Sequence, residues 1–383
     1  MATEGLSVQD SIAKRYREMI SSSRLRPGER LPTVRKAAKD LLVSITPVRG
    51  AYKILEREGL IYQRRGAGTF VGASPQQAPA SLDIGVLFRP LGQWTEDDNY
   101  RLQIFLGIQR ALEAGRHQTI LATMPPLNAD PAPQREAAER LLAAGPHGFV
   151  LDDHMPDEII ARFAASGRPV VVVNGRNAAP GVGAAFGDMR QAGETAARKI
   201  FEKGHRTAAC LWRRNNNGDL AAEAFLGVMA DSAAAVAPHH VAAANMEGAP
   251  REKTYAVFKG IMSQPPLPTA VFCTDDRIAR AFSIWARERD LRIPRDLSLV
   301  GVLDLAMAAR NEPPLTTFRF EPEGIGKAAV EEVVACCRLP RRAAGTVVVQ
   351  GEWVERESLA RVGSATKGRA QSKPKSGERR NSK

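Results

Sequence analysis

Beyond residue 81 the chain repeats one pattern: a short apolar run, an amphipathic stretch, then another short apolar run. Residues 82–88, 117–123, 148–152 and 169–174 have strand composition and alternate with helical periodicity over 100–114, 133–143 and 157–165. The pattern resumes with helices over 190–202, 219–231, 251–263 and 277–289, interleaved with apolar runs at 206–212, 239–246, 269–275 and 297–304. Parallel neighbours need a crossover long enough to span the sheet, and helices of this length supply it. The expected fold is therefore α/β, with parallel sheets covered by helices on both faces, and the number of strands implies two lobes. Ligands of such sheets bind outside the carboxyl ends of the strands.

Residues 31–71 follow a different logic. Thr33 is placed to cap a short helix whose apolar face is Val34, Ala37, Ala38 and Leu41, and the helix breaks at Leu42-Val43. Ser44 then caps a second helix, in which Val48, Tyr52 and Leu55 face inward while Thr46, Arg49 and Lys53 share the opposite side. Pro47 is tolerated because the first turn needs no N–H there. Two short helices joined in this way form a DNA-reading unit whose second helix enters the major groove, N-terminal residues foremost. Gly59 ends that helix, and strands at 60–62 and 69–71 flank an Arg- and Gly-rich tip suited to phosphates or a minor groove. An earlier helix over 8–20 puts Val8, Ile12, Tyr16 and Ile20 on one face.

Leu31-Pro32, Arg35, Ser44, Thr46, Arg49, the run LEREGLI at 55–61 and GAGTFV at 66–71 together resemble the winged helix of the GntR family of bacterial transcription regulators. The resemblance covers about the first fifth of the chain and implies DNA contacts at Arg35, Ser44, Thr46, Arg49, Arg65 and Gly66. One position departs from the pattern: many relatives have Arg after the capping residue, and this chain has Ile45.

Charge is distributed to match. Of a formal +12, residues 1–72 carry 14 Lys/Arg against 7 Asp/Glu and residues 364–383 carry 7 against 1, so the body between them is close to neutral. Basic ends around a neutral body point to a polyanionic partner for the ends only. Cys210, Cys273, Cys336 and Cys337 have no metal-ligand spacing and read as buried thiols of a reducing compartment, with no metal site implied. The N-terminus lacks a signal-peptide core and no apolar run is long enough to span a membrane, so the expected location is the cytoplasm. Small, polar, Pro-containing composition at 73–81 marks a linker between a winged helix-turn-helix at 1–72 and a domain at 82–362, and 363–383 has the composition of a disordered basic tail.

Within that second domain, EKGHR at 202–206, AVFCTDD at 270–276, IPRDLSLVG at 293–301, PPLTT at 313–317 and VERES at 354–358 occur in the order seen in the effector domain of the LacI family, which is similar to periplasmic sugar-binding proteins. A GntR-like reader joined to such a domain is the arrangement of AraR-type arabinose repressors. The resemblance implies a two-lobed domain with three chain crossings, near 185–188, 303–305 and 338–345. It places Asp276 as the carboxylate that holds sugar hydroxyls. Asp188, Arg176 and Asp304, at strand ends or crossings, and Trp94, an aromatic that could stack on a sugar face, are the further effector-site candidates. Two departures bear on the ligand. The stretch 224–228 lacks the Arg that many sugar-responsive relatives carry, with Arg213 or Arg214 as substitutes, and Asn174 stands where an acid is frequent.

The expected function is a ligand-responsive transcriptional regulator, a repressor and homodimer, that binds double-stranded operator DNA and a small carbohydrate effector. No cofactor is implied. A non-sugar effector and a cytoplasmic solute-binding protein without regulatory role are the alternatives, and the missing signal peptide argues against the latter. An enzyme fused to a GntR-type reader would use pyridoxal phosphate; no Ser-Lys motif for a Schiff base occurs ahead of the basic tail, and Asp152-Asp153-His154 reads as a strand-end loop.

Overall fold

The computed structural model describes residues 8–72, 81–88, 99–124, 132–175, 179–244 and 251–363, apart from residues 23, 27, 65–67, 154, 214, 233–235 and 340–341. The chain divides into two compact units, Met1–Gly187 with Glu321–Val349, and Asp188–Phe320 with Gln350–Lys383.

The first unit begins with α1 (Val8–Ser21), α2 (Val34–Asp40), α3 (Ile45–Arg57) and an antiparallel pair, β1 (Ile61–Arg64) and β2 (Gly68–Val71). Ile12, Tyr16 and Ile20 of α1 pack with Val48, Ala51, Tyr52 and Leu55 of α3, the i, i+3, i+4 spacing read from the sequence. Tyr16 and Tyr52 meet edge to face, with ring centroids 5.5 Å apart. The Tyr52 hydroxyl donates to the Pro32 carbonyl at 2.9 Å, which ties α3 to the approach to α2. Thr33 caps α2 by accepting from the Lys36 amide at 3.2 Å. Ser44 takes the extended N-cap conformation of α3, but its hydroxyl makes no capping hydrogen bond. Val8, expected on the inner face, is 56% exposed because α1 starts there, one turn outside the packed stretch.

Six further elements alternate as expected: β3 (Asp83–Phe88), α4 (Asn99–Ala114), β4 (Gln118–Thr123), α5 (Ala132–Ala143), β5 (Gly148–Asp152) and α6 (Asp157–Ala164). They lead to β6 (Val170–Val173) and β7 (Val182–Gly187). One side of this sheet, with Leu87, Phe149, Leu151, Val170 and Val172, packs on Ala138 and Leu141 of α5 and Ile159, Ile160 and Phe163 of α6.

The second unit opens with α7 (Met189–Glu202), β8 (Ala208–Trp212), α8 (Asn216–Asp231), β9 (Val241–Ala243) and α9 (Arg251–Ile261). It continues through β10 (Ala270–Cys273), α10 (Asp276–Arg287), β11 (Ser298–Val300), α11 (Ala306–Ala309) and β12 (Thr317–Phe320). Its parallel sheet has the order β11-β10-β8-β9. Phe258, Phe282 and Trp285 form the aromatic centre of its core. The chain then returns as α12 (Pro322–Arg338) and β13 (Thr346–Val349), which complete the first unit as a parallel sheet of order β13-β7-β6-β5-β3-β4. The α12 helix covers β5, β6 and β7 and lies along α4, where Gly107 faces the Glu323 backbone and Gly326 the Ile104 carbonyl. A side chain at either glycine would collide with the facing backbone. Finally β14 (Gly351–Val354) pairs antiparallel with β12.

The chain passes between units at 187/188, 320/321 and 349/350. The first crossing lies where the sequence placed it. The second was expected at 303–305, but after β11 the chain stays in its unit through α11 and β12. The third follows β13, because that strand still pairs with β7.

Candidate nucleic-acid interface and ligand edges

In α3 the buried residues are Val48, Ala51, Tyr52 and Leu55, so the helix leaves Thr46, Arg49 and Lys53 exposed together on the other side. Arg35 is exposed on α2 and Ser44 on the turn between the helices, its hydroxyl uncommitted to capping. Arg65 and Gly66 lie outside the described residues. Arg30, which sequence reasoning passed over, pairs as a bridge with Phe70, and its guanidinium lies against Gly68, whose φ is +114°. Gly68 therefore serves twice, in a backbone conformation that side chains disfavour and as the surface on which a cation rests at the base of the wing. Together these residues form a polar and cationic surface centred on one helix face, suited to phosphates and base edges.

The first unit has a charged cluster at the carboxyl end of its sheet. Arg101, in the first turn of α4 and buried, donates to Asp152 Oδ1 at 2.5 Å and to Asp153 Oδ1 at 2.8 Å. Asn174, just after β6 and at φ +61°, approaches Asp153 Oδ2 with its amide at 3.5 Å. Burial pushes the Asp153 carboxyl up, Arg101 pulls it back, and neighbouring Asp152 pushes it up again, for a net rise. The sequence signal was present on both sides: an arginine inside the apolar first turn of a helix, and two carboxylates closing a buried strand. Their separation of 51 positions hid the pairing.

The second unit presents its own set. Asp275 caps α10, accepting from the Arg277 amide at 2.9 Å and its guanidinium at 3.0 and 2.7 Å, with Arg213 at 3.7 Å after β8. Asp276 is fully buried. Its Oδ2 accepts from the Leu305 amide at 2.8 Å and its Oδ1 from the Thr317 hydroxyl at 2.7 Å. Burial pushes this carboxyl well up, against the pull of those two hydrogen bonds, and Asp275 and Asp304 add to the rise. Asp276 thus ties the loop after β11 to β12. Asp304, at φ +49°, pairs with Arg356 at 2.7 Å and Arg319 at 3.5 Å. Asp188 caps α7 and accepts from Gln350. Of the effector candidates, Asp276 and Asp304 come together through the 303–305 loop, Asp188 stands at the first crossing, and Arg176 and Trp94 lie outside the described residues. Arg214 also lies outside them. No group of metal-ligating side chains occurs among the described residues.

Comparison with known proteins finds two family matches along the chain. The family of bacterial regulatory proteins, gntR family, matches residues 8–71, and the periplasmic binding protein-like domain matches residues 197–359. The chain is 23% identical to an arabinose metabolism transcriptional repressor of Geobacillus stearothermophilus, over 82% of this chain and 87% of that one. It is 29% identical to the HTH-type transcriptional repressor PurR of Klebsiella pneumoniae, over 60% and 68%. Among solved structures, a LacI family regulator from Mycobacterium smegmatis superposes with a TM-score of 0.60 at 22% identity, over 73% of this chain and 99% of that one. A CelR-cellobiose complex gives 0.64 at 17% identity, over 86% and 100%. Helix α3 lies within the gntR-type match and the Asp275–Asp276 edge within the periplasmic-binding-protein-like match, so the chain is a two-part transcriptional regulatory protein that joins a gntR-type DNA-binding domain to a periplasmic-binding-protein-like effector domain.

Proposed function

We propose that this regulator is a cytoplasmic repressor that acts as a homodimer and not as an enzyme. The reader at 1–72, joined through a linker at 73–81 to the effector part at 82–362, binds operator DNA, with Arg35, Ser44, Thr46, Arg49, Arg65 and Gly66 at the duplex. Two copies of α3 then read the two half-sites of a pseudo-palindrome. The observation that carries this reading is the clean partition of α3, with four buried residues on one side and Thr46, Arg49 and Lys53 on the other. The basic tail at 363–383 adds phosphate affinity without sequence preference.

The effector is a small polyhydroxylated molecule. Carboxylates and guanidinium groups alternate at the carboxyl edges of both sheets, and such sets offer donors and acceptors to hydroxyl groups. Asp188, Asp276, Asp304, Arg176 and Trp94 are its proposed contacts. A second reading, a non-sugar effector, is favoured by one observation: both oxygens of buried Asp276 already accept hydrogen bonds within the fold. Fluorescence anisotropy on DNA from upstream of the chain's own gene, with nonspecific competitor, separates the two when titrated with mono- and disaccharides. Release by one sugar supports the first reading, and tight binding unmoved by every sugar supports the second.

A further inference from the structure

Ile45 is the first residue of α3 and is 40% exposed. One helical turn later comes Arg49 and another turn later Lys53, both exposed, and Thr46 stands beside it. Ile45 therefore shares the face that the reading helix turns away from its core. Leu42, three residues earlier in the turn between α2 and α3, is 94% exposed. Two large aliphatic side chains left in water within four residues, at the end of the helix that approaches DNA first, are not explained by the core, whose members at this end are Ala38 and Val48.

We propose that Ile45 reads a thymine by packing on its 5-methyl group in the major groove. This inference rests on the DNA-binding reading above. Isoleucine offers no donor or acceptor, so it can form no pairing with the O6 and N7 of guanine or the N6 and N7 of adenine. The one apolar group that a base pair presents in the major groove is the thymine methyl. A guanine or cytosine opposite Ile45 would bury polar edges against a side chain that cannot satisfy them. Each half-site of the operator therefore carries an A·T pair, with its methyl toward Ile45, next to the base edges that Thr46 and Arg49 reach.

The test uses the full chain and an operator selected from random-sequence duplexes. Each thymine of the selected half-site is replaced in turn by deoxyuridine, symmetrically in both half-sites, which removes the methyl and leaves base pairing unchanged. With the native protein, one such replacement weakens binding about fourfold per half-site, the scale of one buried methyl-sized group. With Ile45→Ala the same replacement has no effect, while Arg49 still discriminates operator from random DNA. Equal response of native protein and Ile45→Ala to every uracil replacement overturns the proposal, as does selection of half-sites with guanine or cytosine at that place. Failure to select any sequence from the pool overturns the DNA-binding reading itself and is distinct from both. Ile45 is not a member of the core cluster, so Ile45→Ala keeps the native circular dichroism spectrum, and a binding change read on protein with that spectrum reports the interface.

Discussion

Asp188 and Gln350 join two of the three segments on which the chain changes units: the Gln350 amide donates to Asp188 Oδ2 at 3.0 Å, and each is the first residue after its crossing. Asp188 Oδ1 meanwhile accepts from the Gln191 amide at 2.9 Å and caps α7, and the Gln191 side chain accepts from the Gly351 amide at 2.9 Å. Crossing and helix start are thus one hydrogen-bonded unit. Asp188→Ala should cost about 1 kcal/mol, the worth of a lost N-cap. Gln350→Ala, which removes only the exposed partner, should cost clearly less. Urea unfolding of the two variants checks this, and equal losses would put the stabilisation in the Asp188–Gln350 bond and not in the cap.

Burial of Asp276 makes stability depend on pH with a definite sign. Its carboxyl titrates well above the ordinary carboxylate range in the folded chain. The native state therefore holds this proton more tightly than the unfolded state does, and the group's contribution falls as pH rises from about 4, the unfolded value, towards the folded value. Asp276→Asn keeps an acceptor for the Leu305 amide and a donor for Thr317, and carries no charge to bury. Its advantage over the native chain should therefore be larger at about pH 8 than at about pH 5. Unfolding curves at both pH values test this, and parallel pH profiles would contradict it.

Arg101 is the counter-charge for two buried carboxylates. Removing one partner of a buried ion pair leaves an uncompensated charge, so Arg101→Leu should cost about 3–5 kcal/mol. A loss below about 1 kcal/mol by thermal unfolding would mean that the cluster is hydrated and the pair contributes little.

Leu42 sits at φ +55° with its side chain almost wholly in water. Left-handed backbone costs a leucine about 1–2 kcal/mol, and Asn tolerates it better. Leu42→Asn should raise the stability of the chain by roughly 0.5–1 kcal/mol, read as an increase in urea midpoint at unchanged slope. A decrease would show that Leu42 is held by contacts the native fold needs.

How much of this was legible in the sequence follows from range. Helical periodicity placed Val48, Tyr52 and Leu55 inside and Arg49 outside, because three- and four-residue spacing is a local property. The strand at 182–187 escaped notice, since two of its six residues are glycine and two alanine, and little apolar contrast marks it. The returning β13 joins the first sheet across more than 150 positions, and nothing near 346–349 announces its partner. The sequence marks Asp276 as a strand-end carboxylate; it opens α10, and its hydrogen bonds to Leu305 and Thr317 come from segments 29 and 41 positions away. Residue type identified the chemistry there, and only the packing revealed that both oxygens are already engaged.

The most direct test of the account is the binding of Arg49→Ala to operator DNA and to effector, measured by anisotropy and by calorimetry on the same preparation. Arg49 lies on the exposed face of α3 and contributes nothing to the core. The variant should lose operator-specific binding, by about tenfold or more for a base-reading arginine, and keep the effector affinity of the native chain. Undiminished operator binding in the folded variant would contradict the assignment of α3 as the reading helix.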